Sequence, residues 1–434
     1  MNSQTTNFFR LLLSTIFCMN LLSCETERTV PFDADELTRQ MEQITEEFEI
    51  MGLAVKLITG GEVVYEGYFG QAVYETGAEL GSESVFRIAS ITKTVTAISL
   101  MQLWEQGFVD IDEDVSDYLG WELRNPNHPD EKITLRMLLS HTSSVRDGEG
   151  YPAFARDMIE NRLLIRELFE PGASYYGADM FADHAPGHYF SYSNSTWSLV
   201  ASVVERISGE RFDHYTKREI FEPLGIKASF NPAAFHKEEY AALYRKPDGE
   251  WVAQVDLYTE TEPKERAWEG YEPGTNGLLY GPQGSLRISA AGLTRLAQTL
   301  INGGELDGVR VLEEATLAEM TRIHWEYDGT NGNTWENFFM GYGLGIHLLT
   351  NREGKDVIFP DRKMFGHAGI AYGLLSNMYV DPDSGAGVIY IMSGSARPFD
   401  GAEDSSFYHM EVSVFDLLHP ILLDLEREAT QIVE

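Results

Sequence analysis

Residues 86–107, FRIASITKTVTAISLMQLWEQG, read as a helix that is apolar on more than one face. Ile91, Val95 and Ile98 recur at helical spacing, and so do Ala97, Met101 and Trp104. A helix apolar around most of its circumference has to be buried, so the rest of the chain must enclose it. Gly107 supplies a C-terminal stop. Two polar residues stand out, Ser90 and Lys93, three apart and therefore on one face about one turn from each other. The free N–H groups and positive dipole end at the helix start favour an alkoxide on Ser90. The same field, together with burial, disfavours an ammonium on Lys93. Lys93 then becomes a neutral base beside a hydroxyl nucleophile. A capping serine and a solvated lysine give the same spacing, so the pair needs support from elsewhere in the chain.

The chain has 434 residues, of which 43% are hydrophobic and 12% aromatic, enough for a large core. A net charge of −35, spread along the sequence, excludes nucleic acid and anionic lipid surfaces as electrostatic partners. Both cysteines, Cys18 and Cys24, fall in the first 24 residues. Residues 8–23, FFRLLLSTIFCMNLLS, are a short apolar run with Arg10 near its start, which reads as a secretory signal and not as a membrane span. Leu21-Leu22-Ser23-Cys24 resembles the bacterial lipoprotein signal. That resemblance implies cleavage before Cys24, lipidation of Cys24, and an exported cell-envelope protein held to its membrane by lipid. Residues 1–23 are then the signal, 24–32 a tether, and 33–430 the folded domain.

Asp33, with Glu36 three residues on, marks a helix start, and Leu37, Met41, Ile44 and Phe48 share its apolar face. Leu53 to Ile58 and Glu62 to Phe69 flank Gly60-Gly61 and predict a hairpin. Asp110, Asp112 and Asp114 match the first ligands of a calcium loop. Val115 and Trp121, however, stand where its glycine and bidentate glutamate belong, so the stretch reads as an acidic turn. His184 and His188 are separated by Pro186-Gly187, which breaks the helix that a metal pair would need. No metal and no cofactor are expected.

Residues 133–145, ITLRMLLSHTSSV, predict a short helix and a polar turn, and residues 146–185 an irregular excursion. A helix is expected over 195–207, stopped by Gly209, and another before Asn302-Gly303-Gly304. Late in the chain, 341–346, 364–380 and 386–392 read as strands, and 407–428 as a closing helix interrupted at Pro420. This order predicts an α+β fold (an α/β sandwich), with one mainly antiparallel sheet built from both chain ends and flanked by helices. The α/β part covers about residues 33–110 and 286–430, and a mostly helical part covers about 111–285.

Tyr192-Ser193-Asn194 stands at the entrance to the 195–207 helix, and His367-Ala368-Gly369 lies on a late strand. Ser90-x-x-Lys93, Tyr192-x-Asn194 and His367-x-Gly369 therefore follow in order, among the phrases FRIASITKT, ITLRMLLSHTSS, PGHYFSYSN, PLGI and GYGLGI. In these features, spread over residues 35–420, the chain resembles the serine β-lactamase and penicillin-binding protein superfamily. It is most similar to the branch of class C β-lactamases, D-alanyl-D-alanine carboxypeptidases and related esterases.

The resemblance implies the β-lactamase/transpeptidase-like fold and a cofactor-free serine hydrolase working through an acyl-enzyme. Its substrate would be a D-amino-acid peptide, a β-lactam or an ester. The alternative it leaves is a peptide- or penicillin-binding envelope protein with little turnover. Ser90 would be acylated, Lys93 and Tyr192 would share the proton work, and Asn194 would bond the substrate amide or orient Lys93. His367, Gly369 and Ile370 would line the substrate site, with the N–H groups of Ser90 and Ile370 as the oxyanion hole. His367 stands where many members carry lysine. Facing the substrate, it would give a selectivity for carboxylates that rises as pH falls through its titration. Ser144 stands where the family phrase usually has glycine, and is expected to alter a turn.

Overall fold

The computed structural model describes residues 32–360 and 362–433, with side chains through Glu428. The signal, Cys18, Cys24 and all but the last residue of the tether lie outside the described residues. Helix Ala34–Glu47 begins where Asp33 accepts the Glu36 N–H at 3.0 Å, and it buries Leu37, Met41 and Ile44. Strands Gly52–Thr59 and Glu62–Val73 turn through Gly60 and Gly61 at φ of 56° and 79°, a two-residue turn suited to glycine at both positions.

The first of these strands pairs on its other edge with Ala386–Met392, so the two ends of the chain meet inside one sheet. Beyond Ala386–Met392 come Leu374–Asp381 and Phe365–Ala371, then the short strands His347–Leu348, Gly341–Tyr342 and Trp325–Glu326. Ala78–Glu79 closes the opposite edge, and every pairing is antiparallel. The middle of the sheet is apolar on both faces. Leu53, Val55 and Leu57 join one core with Met41 and Leu418, while Ala54 and Ile58 join another with Val95 and Ile98. Helices Ala34–Glu47 and His409–Val433 pack on the first face, and Ala290–Ile301 packs on the second. The expected sandwich, built from both ends of the chain, is what forms.

A three-stranded seam, Val85–Arg87 with Arg287–Ser289 and Ala228–Ser229, ties the middle of the chain to this sandwich. Helix Ser195–Ser208 is buried from Ser195 to Glu205, packs on the Ser90 helix, and ends at Gly209 with φ of 72°. In the acidic turn, Asp112 pairs with Arg136 at 2.6 Å, while Asp114 pairs with Arg124 and caps Ser116.

Two sequence expectations are corrected. The closing helix is not interrupted at Pro420 but runs through it from His409 to Val433. Pro420 and Asp416 both lie on the exposed side, so the Asp416 carbonyl that loses its helical donor is open to water. The 146–185 excursion contains helices Gly150–Asn161 and Arg166–Phe169. Gly150 and Pro152 hide the first of these from a sequence reading. Proline is nonetheless tolerated in a first turn, where the N–H has no helical partner, and Phe154 and Met158 are buried four apart.

Two buried glutamates make stability depend on pH. On the sheet face away from Ser90, Glu411 accepts from Asn377 Nδ2 at 2.5 Å and from the Tyr408 N–H at 2.9 Å. Burial pushes its carboxyl up to about 7 against the pull of those two donors. Glu205 is also pushed up to about 7 by burial, although Tyr271, Gly274 and Phe212 donate to it. A carboxyl raised in this way destabilises nothing below its unfolded value of 4.5, and destabilises progressively as pH rises toward 7. At pH 8 each costs on the order of 3 kcal/mol. Denaturant midpoints are therefore expected to fall between about pH 5 and 7, and Glu411→Gln to flatten that fall. An unchanged slope in the variant would show that Glu411 is ionised throughout.

Candidate active site

Ser90 sits in a single 3₁₀ turn, Ala89–Ile91, immediately before the α-helix Thr92–Glu105. Ala89 holds φ of 45°, a left-handed conformation costly for a non-glycine residue, directly beside the serine. Thr92 to Leu103 are buried, and Lys93 is 0% exposed. Lys93 Nζ lies 3.1 Å from Ser90 Oγ and donates to Asn194 Oδ1 at 2.9 Å and to the Gln283 carbonyl at 2.7 Å. Burial lowers its pKa to about 7, with Asp147 opposing. Amide oxygens only accept, so a neutral Lys93 directs its two N–H groups at Asn194 and Gln283. Its lone pair is left facing the Ser90 hydroxyl.

The Tyr192 ring lies 4.9 Å from Lys93 Nζ and stacks on Phe339 at 4.9 Å. Burial pushes its phenol well above the usual range, opposed by a hydrogen bond with Ser90. Tyr192 is accordingly a phenol in the resting site at neutral pH.

Sequence reasoning missed the groups that hold this motif. Asp147 Oδ1 accepts the N–H groups of Asn194 at 2.8 Å and Ser195 at 2.7 Å, and Oδ2 accepts Asn194 Nδ2 at 2.8 Å. It caps helix Ser195–Ser208 from a distant segment and turns the Asn194 carbonyl toward Lys93. His141 Nδ1 accepts the Ser193 N–H at 3.1 Å, and its ring lies 4.4 Å from that of Tyr192. Burial, then Lys93 and His367, push the His141 pKa well below the usual range. The polar turn after the 135–139 helix therefore clamps Tyr192-Ser193-Asn194. In that turn Ser144 adopts φ of 65°, the conformation a glycine would take, and its Oγ accepts from Asn125 at 3.0 Å.

Asp147→Asn is expected to lower kcat/KM roughly tenfold or more by loosening Asn194. Because Asp147 is exposed, loss of its charge should move the midpoint of the pH–rate profile down by only a few tenths of a pH unit. A midpoint that stays put while activity falls would reduce Asp147 to a cap alone.

The third motif requires a correction. His367 is 1% exposed, with Nδ1 2.6 Å from the Ala368 carbonyl and Nε2 2.9 Å from Tyr342 Oη. The carbonyl can only accept, so Nδ1 carries the proton and the Tyr342 hydroxyl donates to Nε2. Burial and then the nearby Lys93 push the His367 pKa well below the usual range. His367 borders the cleft but stays neutral, so the pH-dependent carboxylate selectivity expected from sequence has no titrating group here. Gly369 is required by close approach: a Cβ there would stand 2.3 Å from the Ile88 carbonyl, on the segment leading into Ser90.

Ser90, Tyr192, Asn194, His367 and Ile370 line one cleft of about 1330 Å³, with Lys93 directly behind Ser90. Part of its wall is a strained loop in which Trp335, Glu336 and Asn337 hold φ of 46°, 58° and 70° in succession. The loop sets the Trp335 ring 4.9 Å from that of Tyr192. No sequence signal marked this loop.

The family described as Beta-lactamase matches residues 37–409. Penicillin-binding protein 4 of Amycolatopsis lactamdurans is 26% identical over 369 residues, covering 84% of this chain and 86% of that protein. The D-alanyl-D-alanine-carboxypeptidase/endopeptidase AmpH of Escherichia coli (strain K12) is 28% identical over 226 residues, covering 50% of this chain and 56% of AmpH. The D-amino acid amidase from Ochrobactrum anthropi SV3, complexed with L-phenylalanine amide, shares the fold with a TM-score of 0.63 at 20% identity, over 92% of this chain and 100% of that one. With its sandwich, its clustered motifs and a family match over most of its length, the chain belongs to the Beta-lactamase family.

Proposed function

We propose that this protein is a serine hydrolase that forms an acyl-enzyme at Ser90, with a D-amino-acid peptide, a β-lactam or an ester as substrate. The observation that carries the reading is Lys93, buried, with a pKa of about 7 and two fixed carbonyl acceptors that turn its lone pair to Ser90. Neutral Lys93 takes the Ser90 proton as Oγ attacks the substrate carbonyl. The N–H groups of Ser90 and Ile370 receive the oxyanion. The Tyr192 phenol protonates the leaving group, and the Lys93 ammonium restores the phenol. Water then releases the acyl group by the reverse proton path. Names among the relatives, a carboxypeptidase/endopeptidase and a D-amino acid amidase, favour amide bonds next to D-residues.

Intact-mass analysis during exposure to D-amino-acid amides, β-lactams and activated esters tests this reading. A transient mass increment accompanied by product is expected. A lasting adduct without turnover would favour a binding protein, and no adduct with any probe would overturn the reading.

The Leu21-Leu22-Ser23-Cys24 stretch supports a lipid anchor at the cell envelope. Among the described residues no helix is long and apolar enough to cross a membrane. Cys24→Ala is expected to remove a lipid mass increment and to move the protein from the membrane to the soluble fraction. Wild-type protein without that increment would contradict the anchor.

A further inference from the structure

The strained loop at residues 335–337 does none of the proton work at Ser90, yet its geometry is firmly held. Asn333 Oδ1 accepts the Trp335 N–H at 3.1 Å, Thr334 Oγ1 accepts the Asn337 N–H at 3.1 Å, and the Thr334 carbonyl accepts the Phe339 N–H at 2.9 Å. Phe338 anchors the loop against Phe407 and His347, with ring centroids 5.3 and 5.0 Å away. Ala89 and Tyr372, also on the cleft wall, hold positive φ singly, one beside Ser90 and the other at the tip of the hairpin between Phe365–Ala371 and Leu374–Asp381. At 335–337 the positive φ values follow one another, and of those residues asparagine tolerates this backbone while tryptophan and glutamate do not.

What the strain sets is the position of one indole. A lone exposed aromatic is ordinary on a protein surface, but one carried on costly backbone at a cleft wall is not. Trp335 is 48% exposed and lines the cleft. Its ring packs against Tyr192 at 4.9 Å and 56° and against Phe339 at 5.6 Å, and the exposed remainder borders the cleft. Phe399 and Tyr408, with rings 5.4 Å apart, line the same cleft. Ser406 Oγ, 3.4 Å from the Glu336 carbonyl, joins their segment to the loop.

Tyr192 determines which part of a substrate meets this surface. Its phenol, in the reaction proposed above, delivers a proton to the leaving group, so the leaving group has to stand against Tyr192. Trp335 is the exposed ring beside it.

We propose that Trp335 is a specificity-determining residue, which with Phe399 and Tyr408 forms a subsite for a flat apolar group, above all an aromatic ring, on the leaving side of the substrate. The proposal rests on the hydrolase reading and narrows it to amides or esters whose departing amine or alcohol carries such a group. An indole already fixed by its loop loses little freedom on binding. Offset or edge contact with a second ring then adds to the apolar area buried.

Two matched pairs of thioesters test this. In the first, an acetyl group is carried by phenylmethanethiol or by 2-hydroxyethanethiol, two thiols of similar acidity. In the second, 2-hydroxyethanethiol carries a phenylacetyl or a methoxyacetyl group. Thiol release gives kcat/KM for each member, and the ratio within a pair cancels any difference in the fraction of intact sites. In the first pair wild-type protein is expected to favour the aromatic thiol by roughly tenfold. Trp335→Gly and Trp335→Asn, both suited to the local backbone, should each bring that ratio toward one and leave the ratio of the second pair where it was. With the indole half exposed both variants should fold, and either one decides if the other does not. A wild-type ratio near one, a preference that survives these substitutions, or an equal change in the second pair would overturn the subsite while leaving the hydrolase reading in place. If none of the thioesters acylates Ser90, the hydrolase reading fails and takes the subsite with it.

Discussion

Ser90→Ala is expected to abolish both turnover and covalent labelling, leaving only activity indistinguishable from a no-enzyme control. The variant should fold normally. Ser90 is half-buried on the cleft wall, and removing its hydroxyl leaves Lys93 with two of its three oxygen partners, Asn194 and Gln283. Deleting a surface-lining hydroxyl costs on the order of 1 kcal/mol of stability or less. Loss of chemistry without loss of fold is the signature of a nucleophile. Steady-state assays beside thermal melts would record it, and a variant that keeps full hydrolytic activity would remove Ser90 from the reaction.

Lys93 variants should show the second largest effect. Lys93→Ala removes the base and also leaves the carbonyls of Asn194 and Gln283 without their donor. Acylation is expected to fall by roughly three orders of magnitude or more. Residues that act as a unit give non-additive losses, so the Ser90→Ala, Lys93→Ala double variant should be little worse than either single variant. The sign of the pH dependence follows from burial. Because burial lowers the lysine pKa to about 7, the protonated, inactive form prevails below that value and the neutral base above it. In wild type, kcat/KM should therefore rise with pH and level off above about 7. His141 and His367 contribute no step of their own in that range, since burial holds both neutral. A profile flat from about pH 6 to 8 would mean that Lys93 is not the titrating base.

Much of this arrangement could be read from the chain, because it depends on local pattern. The Asp33 cap, the Gly60-Gly61 hairpin, the Gly209 stop and the pairing of Leu374–Asp381 with Ala386–Met392 are all written in adjacent residues. The apolar Ser90 helix and the order of the three motifs likewise identified which side chains meet. What escaped depends on distance in sequence. Asp147 sits 46 to 48 residues from the groups it holds, with no spacing rule to mark it. His367 was legible as a motif position, but its burial was not, because Tyr342 reaches it from another strand. The strain at Ala89, Trp335 and Tyr372 is carried by residues with no preference for left-handed backbone, so only tertiary contacts can hold it. Pro420 misled in the other direction, since its effect depends on which face of the helix meets water.

The most direct test is to trap the first turnover. Wild-type protein would be mixed with an activated ester, quenched in acid within that turnover, digested and mapped by mass spectrometry. An acyl group on the peptide carrying Ser90 is expected, with a burst of released alcohol equal to the enzyme present when deacylation is the slower step. Acylation at another residue, or steady turnover with no acyl group on Ser90 under the same quench, would contradict the assignment of Ser90 as the nucleophile.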